Sequence, residues 1–200
     1  MNFARLITEA PSSIRWRLGS LATVLVYRRA FKSLGKGSVI VRPLRLRGTS
    51  RIQIGAGCAI YEDAWLESDS ESKGSLIIED NVYLGHGVHL HALSDVLIGE
   101  GSMLADGVLV NSGGHQVDKN MEARESGPIT IGKNCFIGQR VMVLGGVTIG
   151  DGATIGAGAV VTSDIPAGAT AVGVPARVIS LGDSSKKTSP AQTPKDSGLR

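Results

Sequence analysis

Few residues in this chain can do acid–base or ligand chemistry. It holds four histidines, His86, His89, His91 and His115, and two cysteines, Cys58 and Cys135. His115 stands alone in a polar stretch that runs from Asn111 to Gly127. A neutral imidazole there is suited to taking a proton from a hydroxyl near pH 7. The other three histidines crowd into Tyr83–Ala92. A catalytic zinc needs three protein ligands and an open position. No histidine precedes His86, so no metal is expected, and solvated corner histidines are the simpler reading. A second reading places His89 and His91 along an acceptor cleft. Cys58 and Cys135 fall at small inward positions and read as core residues; two cysteines exclude a disulfide-framework domain.

The elements that position these groups declare themselves as a period. Every sixth residue is aliphatic in three runs: Ile54–Ile60–Leu66 with Ile78–Leu84–Leu90, then Ile98–Leu104–Val110, then Ile131–Ile137–Val143–Ile149–Ile155–Val161. The fourth residue after each is mostly small or β-branched, and the next residue is often glycine. Neither a helix nor simple strand alternation holds a period of six for so long. Three short flat strands with corners between them close a triangular coil of about 18 residues, and such coils stack at roughly 4.8 Å. About five coils follow. An all-β prism of this kind has a narrow aliphatic interior, which accounts for 27 glycines and only 4% aromatic residues. A β-sandwich with glycine-rich turns predicts no fixed interval, and collagen is excluded because the glycines keep no period of three.

Three interruptions break the period. Residues 67–75 are polar and lie between in-phase Leu66 and Ile78. Leu90 and Ile98 are eight apart, a two-residue slip at a corner. Val110 and Ile131 are 21 apart, so the segment beginning Asn111-Ser-Gly-Gly-His115 must project as a loop. Repeats make scaffold, and projecting loops carry function.

These residues resemble a known family. The stretches Val110–His115, Gly127-Pro-Ile-Thr-Ile-Gly132-Lys-Asn-Cys-Phe-Ile-Gly138, Gly145–Pro166 and Gly173–Ile179 are similar to the hexapeptide-repeat acyltransferases, in the galactoside and maltose O-acetyltransferase branch. The resemblance spans roughly residues 36–180. It implies a left-handed parallel β-helix, a homotrimer with sites between subunits, and acetyl-CoA as co-substrate. It further implies His115 as general base, and Gln139, Ala157, Thr162, Ser163 and Arg177 along the coenzyme A groove. Asn111, His89 and His91 are assigned to the acceptor side. Phe136 stands where the family often has Trp, and Ser163 where a Lys is common, which removes one phosphate contact. The implied activity is O-acetylation of a sugar hydroxyl in cell-surface polysaccharide biosynthesis, by direct transfer without an acyl-enzyme. The alternatives are an N-acyltransferase acting on an amino-sugar or other amine, and a non-catalytic β-helix scaffold. A further one is a metal site like that of the γ-class carbonic anhydrases, which share the fold and which His86-x4-His91 resembles.

Charge divides the chain. Residues 1–50 carry ten Arg or Lys against one acid, Glu9, while residues 51–200 carry eleven basic and seventeen acidic side chains. Residues 12–34 read as a basic helix, with Pro11 before it, Ser12 or Ser13 as N-cap and Gly35 as terminator. It would cap the first coil, contact an anionic membrane surface, or do both. Its apolar run is too short to span a bilayer, and no signal-peptide cleavage site follows it. The expected location is therefore cytoplasmic, peripheral to the inner face of the membrane. The acidic body disfavours nucleic acid as a partner. The expected organisation is a helical segment at 1–35, the β-helix at 36–180 and a disordered tail at 181–200.

Overall fold

The computed structural model describes residues 11–68, 74–115 and 123–182. Its body is a prism of three parallel sheets. Three successive short strands lie one on each sheet and together make one coil, and six coils are stacked. The interval of six becomes three inward ladders. On face 1, Leu34, Ile54, Ile78, Ile98, Ile131 and Ile149 are paired coil to coil, and Ile165 continues the line by an isolated bridge. Face 2 carries Ile40, Ile60, Leu84, Leu104, Ile137, Ile155 and Ala171. Face 3 carries Leu46, Leu66, Leu90, Val110, Val143 and Val161. All but Leu46 are buried, and Leu46 is packed against the same core. Each aliphatic side chain thus meets the equivalent residue above and below it, where burial stabilises by about 25 cal/mol per Å² of apolar surface.

The glycine after the aliphatic residue has a physical cause. At the corner after Leu84, the backbone N–H of His86 donates to Asp106 Oδ1 of the next coil at 2.9 Å. A Cβ on Gly85 would meet that same oxygen at 2.4 Å. The corners at Ala56 with Asp80 and at Lys133 with Asp151 repeat the arrangement, at 2.7 and 2.8 Å. The aspartates satisfy corner N–H groups that the ladders leave over.

Two expectations are corrected. The prism has six coils rather than about five, because residues 33–47 form a first coil ahead of Ile54. The N-terminal helix also stops short of Leu34. It runs as α-helix over Pro11–Ala22, widens to a π-helical stretch over Thr23–Tyr27 and ends after Arg28–Ala30. Phe31 turns extended because its ring and Leu34 are buried in the first coil, and Ser33–Leu34 already pair with Gln53–Ile54.

The helix covers one open end of the prism. Gly19 lies against Ile40 and Val41, where a Cβ would come within 3.0 Å of the Ile40 carbonyl oxygen. Thr23 donates to the Gly19 carbonyl at 2.7 Å and accepts the Ile40 N–H at 2.9 Å. An edge group of the first coil is thereby satisfied. At the other end, Arg177–Ser180 folds back antiparallel onto Thr170–Val172. The tail from residue 183, expected to be disordered, lies outside the described residues.

Candidate active site

The two edges of face 3 and the surface between them carry the residues singled out in the sequence. Side chains alternate in a strand, so each outward residue of face 3 stacks on its counterpart in the next coil. One column reads Arg45, Trp65, His89, Leu109, Met142, and the other Arg47, Glu67, His91, Asn111, Leu144. The upper part of the face is polar and aromatic. Trp65 lies 5.3 Å from the His89 ring and 4.6 Å from the His91 ring, and the Arg45 guanidinium sits 5.1 Å from the Trp65 ring centre. The indole N–H donates to Glu67 at 2.8 Å, and Glu67 pairs with Arg47 at 3.1 Å. His91 Nε2 is buried with no hydrogen-bond partner. Burial pushes the His91 pKa below its ordinary value against the pull of Glu67, and His89 and Arg45 push the same way. The ring is thus held neutral, with one nitrogen unused. The lower part of the face, with Met142 and Leu144, is exposed and apolar.

The projecting loop leaves from the edge between face 3 and face 1. Asn111 Oδ1 accepts the Gly113 N–H at 3.0 Å and turns the chain outward. Ser112 is buried and ties the exit to the previous coil, donating to the Ser94 carbonyl at 2.8 Å and accepting the Ser94 N–H at 3.0 Å. Gly113 must be small, since a Cβ would fall 2.5 Å from the Leu93 side chain. Beyond it, Gly113–His115 pairs antiparallel with Ala123–Glu125, so the base of the loop is a two-stranded stem with His115 opposite Ala123. Residues 116–122 lie outside the described residues, as does the His115 side chain.

The opposite edge, between faces 2 and 3, is a groove of about 730 Å³. It is lined by His86, Asp106, Gly107, Gln139, Arg140, Ala157 and Gly158. The structure therefore brings Gln139 and Ala157 together. It does not place Thr162, Ser163 or Arg177 among the groove's lining. Thr162 and Ser163 are exposed and follow the face 3 strand Val160–Val161, which puts them at the edge from which the loop also leaves. Arg177 pairs with Val172 and donates to the Ala176 carbonyl at 3.0 Å.

His86 and His91 belong to different neighbourhoods. His86 faces Glu62 and Asp106, while His91 packs with Trp65 and His89. Among the described residues, no three His, Cys, Asp or Glu side chains converge as metal ligands. Cys58 and Cys135 are buried in the core as free thiols. Burial pushes both thiols above their ordinary pKa, and neither offers a thiolate nucleophile.

Sequence reasoning missed Trp65, Glu67, Arg45, Arg47 and Glu62. Arg45, Arg47, Trp65 and Glu67 flank an inward residue and Glu62 stands at a corner, but which of them lie side by side depends on how many residues each coil contains. The insertion after Ser68 hides that number.

Known proteins are similar to this chain in sequence and fold. The family model described as the hexapeptide repeat of succinyl-transferase matches residues 128–163. Galactoside O-acetyltransferase of Escherichia coli K12 is 42% identical over 127 residues, covering 60% of this chain. The chain is similar to hexapeptide-repeat acyltransferases over these residues. It spans 62% of the length of that galactoside enzyme. WbbJ of Escherichia coli K12, named for O-acetyl transfer in lipopolysaccharide biosynthesis, is 28% identical over 70% of this chain and 77% of its own. A hexapeptide-repeat acetyltransferase from Vibrio cholerae O1 biovar eltor, solved with acetyl coenzyme A, superposes with a TM-score of 0.56 at 26% identity. The match covers 85% of this chain and 82% of that one. The fold is accordingly a left-handed parallel β-helix.

Proposed function

We propose that this chain is an acetyl-CoA-dependent O-acetyltransferase that acetylates a sugar hydroxyl in cell-surface polysaccharide biosynthesis. The observation that carries the proposal is the placement of two features on opposite edges of one face. The stem bearing His115 leaves one edge, and the groove holding Gln139 and Ala157 runs along the other. Side-by-side packing of prisms sets one chain's loop edge against its neighbour's groove. A homotrimer thereby forms three sites between subunits, with exposed Phe136, Met142 and Leu144 available for the contact.

The chemistry in such a site needs no covalent enzyme intermediate. His115 takes the proton of the sugar hydroxyl as its oxygen attacks the thioester carbonyl. A corner backbone N–H meets the oxyanion. Collapse breaks the carbon–sulfur bond, and the leaving thiolate recovers the proton from the imidazolium. The inert, buried cysteines support direct transfer. Gln139 and Ala157, with Thr162, Ser163 and Arg177, are assigned to the coenzyme, and Asn111, His89 and His91 to the acceptor. The test is thiol release from acetyl-CoA with a panel of sugars and amino-sugars, followed by alkaline lability of the product. An alkali-labile ester supports O-transfer, an alkali-stable amide overturns it in favour of N-transfer, and no release together with no acetyl-CoA binding overturns the enzyme reading.

Residues 12–34 are assigned to contact with an anionic membrane surface. Leu18, Leu21, Val24, Leu25 and Val26 are 54% to 61% exposed, although the same helix packs Gly19 and Thr23 against the prism. Arg17, Arg28, Arg29 and Lys32 are exposed around them. No described helix is long and apolar enough to cross a membrane. Apolar groups rimmed by a single sign of charge fit lipid acyl chains beneath anionic headgroups. Two copies facing each other here would set arginine against arginine. Anionic vesicles of phosphatidylglycerol and phosphatidylcholine should sediment the protein, and pure phosphatidylcholine should not. Neutralising Arg28 and Arg29 to Gln should weaken binding roughly 30-fold at moderate salt. Unchanged binding would overturn the assignment. So would Leu21→Asp lowering the solution mass while vesicle binding stays intact, which would mark a face between copies.

A further inference from the structure

A buried carboxylate turns one histidine toward the groove. Glu62 is only 8% exposed. Its Oε2 lies 3.1 Å from His86 Nε2, and its Oε1 lies 3.7 Å from an Arg15 guanidinium nitrogen. A carboxylate so placed needs a donor or a cation beside it, and His86 and Arg15 are the groups that face it. The ring is further fixed by Tyr61, whose centre is 5.2 Å away and which itself lies 5.0 Å from Tyr83 and 5.6 Å from Trp16. With Nε2 set 3.1 Å from Glu62, the Nδ1 edge faces Asp106, whose Oδ1 is 3.5 Å away. That separation is too long for a good hydrogen bond. The His86 side chain is still 54% exposed and lines the same groove as Gln139 and Ala157.

We infer that His86 contacts the acceptor, its Nδ1 and the Asp106 carboxylate receiving hydroxyl protons from a sugar at the end of the groove away from Ala157. This rests on the acyl-transfer reading above. The ligand class follows from the groups present. Two neighbouring hydrogen-bond acceptors call for a ligand that donates, and vicinal hydroxyls of a sugar ring do so. Glu62 and Asp106 repel an anionic substituent at this position, so the ring that binds here is neutral rather than a uronic acid. Glu62 is a positioning residue: it acts by holding the tautomer and orientation of His86, as carboxylates do behind other working imidazoles. A role in the corner alone would make His86 indifferent to sugars.

The test uses the full chain with coenzyme A bound. The His86 ring signals are identified in the NMR spectrum by their loss in His86→Gln. The methyl glycosides of galactose, glucose and mannose, and glucuronate, are then titrated in. At least one neutral glycoside should shift the His86 signals, with glucuronate the weaker ligand. His86→Gln should raise the acceptor KM about tenfold and leave the acetyl-CoA KM within about twofold, and Glu62→Gln should raise the acceptor KM about threefold. Signals that no neutral glycoside moves, or that glucuronate moves more, overturn the inference. So does an unchanged acceptor KM in His86→Gln. Wild-type protein that neither binds acetyl-CoA nor releases thiol defeats the acyl-transfer reading instead, and is told apart by those two measurements.

Discussion

Replacing His115 by Ala should lower kcat for acetyl transfer by about 10³-fold, because general-base catalysis by a positioned side chain contributes roughly 10² to 10⁴. The KM for acetyl-CoA should stay within about twofold, since the residues assigned to the coenzyme lie on the prism and not on the stem. Folding should be untouched. The stem of Gly113–His115 and Ala123–Glu125 projects from the prism and contributes nothing to the three inward ladders. The thermal midpoint is therefore the control, and it should match wild type. His115→Gln keeps a polar group at the position but no proton acceptor of the right basicity, so it should be as slow as Ala. A variant that kept more than about half the wild-type rate would remove His115 from the chemistry.

The fold could be read from the sequence because its interior repeats one instruction. An aliphatic residue every six, with a glycine beside it, specifies a strand, a corner and a stack, and Ile54 to Val161 follow that rule with few lapses. The first coil obeys the same interval through Leu34, Ile40 and Leu46. It was harder to see because Lys36, Arg42, Arg45 and Arg47 surround it and because Leu34 adjoins the helix. The end of that helix is masked in the sequence for a related reason. Helical propensity runs on through Phe31 and Lys32, and burial of Phe31 in the prism overrides it.

The site was legible in part. Asn111 and His115 stood out because they break the period, and a break marks where the chain leaves the scaffold. Gln139 and Ala157 came from family resemblance and meet in the groove because corners one coil apart stack directly. The Arg45–Trp65–His89 column and the Glu62–His86 pair could not be read, since each joins coils separated by 20 or more residues. Their register depends on insertions of unequal length at the corners, which a search for a constant period passes over.

The same coil-by-coil dependence sets where the prism is most sensitive. Leu104 is fully buried on face 2 and sits in register between Leu84 and Ile137. Leu104→Ala should cost about 3 kcal/mol, within the range of roughly 2 to 5 for a buried Leu truncated to Ala. For a chain of this size that lowers the thermal midpoint by roughly 6 to 12 °C. Leu34 is in the first coil and has a ladder partner on one side only, Ile54. In a stack stabilised by nearest-neighbour contacts, Leu34→Ala therefore loses one interface instead of two and should cost distinctly less. Leu181→Ala, at a side chain 71% exposed, should change the midpoint by no more than about 1–2 °C. All three belong at one protein concentration, because assembly into a trimer would make the midpoint depend on it. A Leu104→Ala protein that unfolded with the wild-type midpoint, or Leu34→Ala proving the more damaging change, would mean that the inward ladders do not carry the stability of this prism.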